Sequence, residues 1–345
     1  MHFPPLRYDC IQCGKSCGHW RVLVEEEARQ RLEKTELAEQ ARKQGYQPFV
    51  ACNDGLHRLG FRPEDDKCVF LRSDMLCAVH AELGAAAKPR ACRQFPFFLV
   101  ETPDGPFAGL SFRCTAVKQQ VGRPMEVHRP QLEELRATGQ YPRVGEGPIP
   151  LTPGHFLDWA GYLSLESFAR ESLSDPWRML AVPARAASQA PWEATLREEW
   201  TTLPTPEQNE LLQAFETTLM AGLMGALEGR DLAEMQAGTA ILQAGQAWQP
   251  PRAQRPVSLA QLPLARAPDQ RYLEHLLFRK YLLLGSSVLS RLAALYLAEK
   301  VLRFYSLAMD DQDLALDIVE GEMLSHAESL EPYFAAAEDG LLRHL

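Results

Sequence analysis

Beyond Cys114 the chain runs 231 residues without a cysteine. It also lacks any uncharged apolar run near the roughly 20 residues that a membrane span requires. The longest suspect, Tyr281 to Ser290, is shut between Lys280 and Arg291. The opening residues, Met-His-Phe-Pro-Pro-Leu-Arg, have neither the basic start nor the apolar stretch of a secretory signal. Basic surplus is missing too: 36 Lys+Arg face 45 Asp+Glu, a net charge of −9, which argues against a general nucleic-acid or anionic-membrane binder. No Gly-x-Gly-x-x-Gly, Walker A or Gly-x-Ser-x-Gly signature stands out. Together these absences predict a soluble, cytoplasmic chain with neither membrane nor nucleic acid among its partners.

What is present is concentrated. All eight cysteines, Cys10, Cys13, Cys17, Cys52, Cys68, Cys77, Cys92 and Cys114, fall in one window of 105 residues. A disulfide framework needs an oxidising compartment, and nothing in the sequence exports the chain. Clustered thiols kept in a reducing cytosol serve as metal ligands or redox centres, and metal binding is the favoured reading. Residues 1–123 carry 18 Lys+Arg against 15 Asp+Glu, whereas the remainder carries 18 against 30. A mildly basic surround suits thiolates, although the same imbalance also arises between two ordinary surfaces.

Hydrophobic periodicity predicts a helix over Val22 to Gly45, then a β-hairpin from Phe97 to Arg113 turning at Thr102-Pro103-Asp104-Gly105. Five prolines and three glycines mark 124–150 as a linker with one short helix, Pro130 to Thr138. Beyond it the pattern is helical: Phe156–Ser172, Trp177–Ala187, Trp192–Trp200, Pro206–Glu228, Leu232–Ala247, Tyr272–Leu284, Ser287–Ala308 and Gln312–Ala337, the last interrupted by Pro332. The helix from Ser287 is apolar on two sides and is expected to lie buried in a bundle. Met220, Met224 and Met235 read as bundle core, and Asp310-Asp311-Gln312-Asp313 as a helix cap. The expected fold class is α+β, mostly α. A small metal-stabilised cysteine domain with a β-hairpin (1–123) and a Pro/Gly-rich linker (124–150) precede a helical, bundle-like domain (151–345).

Three local motifs carry the chemistry. Cys10-x2-Cys13-Gly14-x2-Cys17 sets two sulfurs a tight turn apart, with Gly14 freeing the backbone to bend. A C-x2-C also occurs in redox sites, but no strand is evident before Cys10 and a third cysteine follows. Next come Cys68-Val-Phe-Leu…Cys77-Ala-Val-His80 and Pro89-Arg90-Ala-Cys92-Arg93-Gln-Phe95-Pro96. Arg90 and Arg93 flank Cys92, where a guanidinium favours a thiolate and offers hydrogen bonds to cluster sulfur, although surface solvation accounts for them equally. His80 stands at a ligand-like gap from Cys77, while His19 and His57 are isolated.

This order of motifs, closed by Cys114, resembles the YkgJ-type cysteine-cluster proteins, described as zinc- or iron-chelating domains, over about residues 7–117. One departure is plain: the family's first motif ends in adjacent cysteines, and Ser16 stands where the first of that pair belongs. Cys52 lies outside the family pattern, as either a replacement ligand or a core thiol. The resemblance implies Cys10, Cys13, Cys17, Cys68, Cys77, Cys92 and Cys114 as ligands of zinc or an iron–sulfur cluster, with Arg90 and Arg93 behind them. The Leu83-Gly84 before Pro89 also resembles the related flagellin lysine-N-methylases, which implies S-adenosylmethionine as cosubstrate and a protein substrate. No catalytic residue for that reaction is found. Three readings therefore stand open: a metal- or cluster-binding protein, an S-adenosylmethionine-dependent lysine methylase, and a structural zinc module presenting a helical interaction surface. Whether the chain is an enzyme at all is open with them.

Overall fold

Side-chain caps and prolines set many of the element limits. A computed structural model describes residues 1–18, 20–52, 55–173, 175, 177–187, 194, 204–228, 232–262, 267–324 and 330–344. The fold is α+β and mostly helical, as expected, and the chain divides into two compact units. One comprises Pro5–Phe98 and Leu110–Gly139; the other comprises Met1–Pro4, Leu99–Gly109 and Gln140–Leu345.

In the cysteine-bearing unit, the single helix expected over Val22 to Gly45 is three elements. Leu23–Val24 is a strand, followed by helices Glu26–Glu33 and Glu36–Lys43. The break falls where the Thr35 hydroxyl accepts from the Ala38 N–H, starting a second helix instead of continuing the first. Val22 and Val24 are thereby free to enter a three-stranded antiparallel sheet, in which His57–Leu59 lies between Leu23–Val24 and Phe49–Ala51. Leu32, Leu59, Phe70, Leu71 and Val79 close a small apolar core against this sheet. Arg7–Tyr8 pairs antiparallel with Arg123–Pro124, and helix Arg129–Thr138 carries Pro130 in its first turn. Phe97–Val100 and Phe107–Leu110 pair as the expected hairpin, but its larger part, Leu99–Gly109, belongs to the other unit and not to the cysteine-bearing one as expected.

The other unit is built around helix Val288–Met309, whose residues are buried nearly all round, as its two apolar sides predict. Helices Pro206–Leu227, Gln312–Ile318 and Glu331–His344 pack against it. Met220 and Met224 are core residues here, and the Asp311 carboxylate caps its helix by accepting from the Leu314 N–H at 3.0 Å. Three expectations are corrected. The helix expected over Tyr272–Leu284 ends at Phe278, with a separate short turn at Tyr281–Leu283 after the left-handed Lys280. Phe156–Leu157 belongs to a strand, His155–Leu157, paired with Ile149–Thr152, and the helix begins only at Trp159 because Asp158 caps it. The long helix from Gln312 ends at Ile318 and passes into a wider π-turn, Val319–Leu324, while Pro332 lies in the first turn of a separate helix, Glu331–His344. Trp192–Trp200 (apart from position 194), His19 and the Met235 side chain lie outside the described residues. Among the described residues, no helix is long and apolar enough to cross a membrane.

Candidate metal centre

Each cysteine motif is delivered by a turn or a helix start. Gly14 has φ of +63° and opens the turn Lys15–Cys17, and a Cβ at this glycine would stand 2.3 Å from the Met75 methyl. The left-handed backbone conformation favours glycine here, whereas the Met75 methyl, at the end of a flexible side chain, could shift. The Cys68 N–H donates to the Cys17 carbonyl at 2.6 Å, which ties the first motif to the second. Cys77 precedes the first turn of helix Ala78–Leu83, Cys92 lies in Arg90–Gln94, and Cys114 precedes Thr115–Lys118.

Together these elements enclose a cavity of about 680 Å³ within the cysteine-bearing unit. Seven of the eight cysteines line it: Cys10, Cys13, Cys17, Cys68, Cys77, Cys92 and Cys114. Cys52 does not; its thiol donates to the Val50 carbonyl at 3.9 Å, beside the sheet. Arg93 lines the cavity, while Arg90 lies outside the lining and its backbone N–H donates to Glu25 Oε1 at 2.7 Å. His80 is in the lining and His57 is in the central strand of the sheet. Ser16, at the position of the missing family cysteine, lines the same cavity.

The sulfurs fall into two surroundings. Cys17, Cys68, Cys77 and Cys92 belong to the apolar cluster under the sheet, whereas Cys10 and Cys13 are exposed. Burial pushes the Cys17 thiol up to about 11, helped by the neighbouring Cys77 and opposed by the Lys88 ammonium. Burial likewise drives Cys92 to about 12, again opposed by Lys88, and raises Cys68 further against an N–H donated by Phe70. Burial raises Cys114 as well, while the backbone N–H groups of Val117 and Ala116 donate to its sulfur and work the other way. The hydroxyl of Tyr8 is raised by burial and then by Cys10 and Cys114.

These groups suit a thiophilic cation. Thiols held neutral by burial become ligands when a cation compensates the charge of their thiolates. The Nε of Arg93 is buried without a hydrogen-bond partner. As the side chains stand, no three Cys, His, Asp or Glu groups among the described residues are close enough to hold one ion. The sulfurs therefore line a chamber, and ligation requires them to draw closer together. Lys88 and Tyr8 were missed by sequence reasoning. The position of Lys88, directly before Pro89-x2-Cys92, was the available signal; Tyr8 had none beyond its nearness to Cys10.

Residues 9–120 match the model of the CxxCxxCC family, described as "Putative zinc- or iron-chelating domain". An uncharacterized protein of Methanocaldococcus jannaschii is 28% identical over 120 residues, which is 34% of this chain and 39% of that protein. The match thus spans less than half of either protein. No solved structure matches. The seven cavity cysteines, with Ser16 in the first motif, lie inside the segment that matches the model of this zinc- or iron-chelating cysteine-cluster family.

Proposed function

We propose that the cysteine-bearing unit binds a thiophilic metal, as zinc or as the iron of an iron–sulfur cluster, through Cys17, Cys68, Cys77 and Cys92. The observation that carries this reading is the convergence of seven cysteines, from motifs at both ends of the unit, on one cavity. Four of them share one apolar cluster, and four thiolates satisfy tetrahedral zinc or cluster iron alike. When bound, the metal supplies positive charge to a buried, thiol-lined wall. Four thiolates on a divalent ion leave two negative charges, and Lys88 and Arg93 on the same wall oppose them. The S-adenosylmethionine reading gains no support from these residues and forms no part of the proposal.

The test is anaerobic purification with iron, sulfide and zinc counted on one sample and its visible absorption recorded. The expected result is at least one tightly held metal ion or cluster per chain, lost in Cys68→Ser and Cys92→Ser and retained in Cys52→Ser. Protein isolated without metal that takes up neither zinc nor iron after reduction would overturn the reading.

A further inference from the structure

One ion fills only a small part of the cavity. Its volume of about 680 Å³ falls within the range of about 300–1,000 Å³ in which proteins hold small organic ligands. Sulfur is not the whole of its wall. Tyr8, Trp20, Phe61, Phe70 and Phe95 line it as well, and aromatic side chains are the usual lining of such sites.

Three of these rings are engaged elsewhere. The Arg21 guanidinium lies 4.1 Å from the Phe61 ring centre, and Phe70 meets Phe49 at 6.1 Å between centres. Tyr8 meets Phe97 and His128 at 5.5 and 5.4 Å. Trp20 and Phe95 have, among the described residues, only each other as ring partners, with centres 5.3 Å apart and planes inclined at 49°. Rings so inclined do not lie face to face, and aromatic surface is left over. Both side chains are half-buried.

The chain places this pair beside the four-thiol group. Trp20 stands three residues past Cys17, and Phe95 three residues past Cys92. Cys17, Cys92 and Trp20 pack against one apolar cluster. The Trp20 N–H donates to the Gly18 carbonyl at 2.7 Å and the Phe95 N–H to the Ala91 carbonyl at 3.0 Å, which ties each ring to the segment carrying its thiol. Charge then decides between kinds of ring compound. Lys88 and Arg93 already oppose the thiolates of the metal site on the same wall. A charged ligand would leave water without a counter-charge, whereas an uncharged one gains from apolar burial alone.

We propose that the cavity binds, beside the metal, an uncharged molecule built on an aromatic ring, held against Trp20 and Phe95. This inference rests on the four-thiol reading for its charge balance, while the volume and the rings are independent of that reading.

The experiment titrates the reduced, metal-loaded full-length protein with benzamide, followed by saturation-transfer NMR. Benzoate and benzamidine serve as anionic and cationic rings of the same size. Benzamide is expected to saturate one site per chain, with both charged rings at least about tenfold weaker, as the cost of burying an unpaired charge requires. Ala86 is exposed and lines the cavity. Ala86→Trp should abolish benzamide binding by occupying the space, with metal content unchanged. Phe95→Leu should weaken binding about fivefold, the scale of one ring–ring contact. If Phe95→Leu fails to fold by near-ultraviolet circular dichroism, Ala86→Trp carries the test alone. No benzamide signal, binding that survives Ala86→Trp, or equal binding of all three rings would each overturn the proposal while the metal count leaves the four-thiol reading standing. Protein that takes up no metal yet binds benzamide, and loses it in Ala86→Trp, would keep the ring site and overturn the four-thiol reading instead.

Discussion

Cys13 and Cys17 are four residues apart in the chain and lie in different surroundings in the folded unit. Cys13 is exposed, whereas Cys17 packs into the apolar cluster with Cys68, Cys77 and Cys92. Spacing made Cys10-x2-Cys13-x3-Cys17 legible as one motif; it did not show that the motif is divided between two groups. Buried ionisable groups elsewhere obey the same electrostatics and give a sharper test of sign. Burial raises the Glu299 carboxyl above its ordinary value, opposed by Arg303, which donates to it at 2.6 Å. In the unfolded chain Glu299 loses its proton at the ordinary 4.5. As pH rises from there toward the higher folded value, the folded state holds more protons than the unfolded one, and stability falls. Glu299→Gln removes this proton linkage. The stability difference, variant minus wild type, should therefore become more positive as pH rises through that window, read from urea midpoints between about pH 4 and 7. A constant difference would refute the assignment.

Helix ends were partly legible and partly not. The Asp311 cap was readable because an acidic cluster stood directly before an apolar run. Asp158 was not, because the strand ahead of it, His155–Leu157, continues the apolar spacing of the helix it precedes. Its carboxylate accepts from the Gly161 N–H at 2.7 Å and fixes where helix Trp159–Glu171 begins. Asp158→Ala should cost about 1 kcal/mol, measured as a lower urea midpoint with an unchanged slope. Thr35 teaches the same lesson inside an apparently continuous pattern. Its neighbours keep helical spacing, yet one hydroxyl accepting an N–H starts a new helix and redirects the chain.

At the scale of the whole molecule, the two units have different kinds of interior. The helical one is filled by large apolar side chains such as Tyr162, Phe168, Phe304 and Phe334, each fully buried. The cysteine-bearing one surrounds a cavity of about 680 Å³ lined by sulfur. The second has a smaller apolar core, so a cation that binds its thiols in the folded form would add to its stability. Treatment with chelator and reductant should therefore lower the melting transition of the cysteine-bearing unit by several degrees, the shift expected of a ligand that binds only the folded form. Differential scanning calorimetry with and without treatment checks this, and an unchanged profile would refute a structural contribution from metal.

By itself the sequence determined where the thiols of this protein are concentrated. Eight cysteines in 105 residues, at metal-ligand spacings and followed by 231 residues with none, specify a cysteine-rich region ahead of a helical one. These features are local, and ligand type and short spacing survive without knowledge of the fold. Tertiary structure alone decided which cysteines line one cavity and which pack into the apolar cluster, that Cys52 lies away from the cavity, and that Lys88 and Tyr8 stand close to the thiols. Those outcomes depend on a strand pairing between Tyr8 and Arg123 and on an N–H from Cys68 to Cys17. Pairings across such distances are set by burial of the whole unit and leave no periodic trace in the chain.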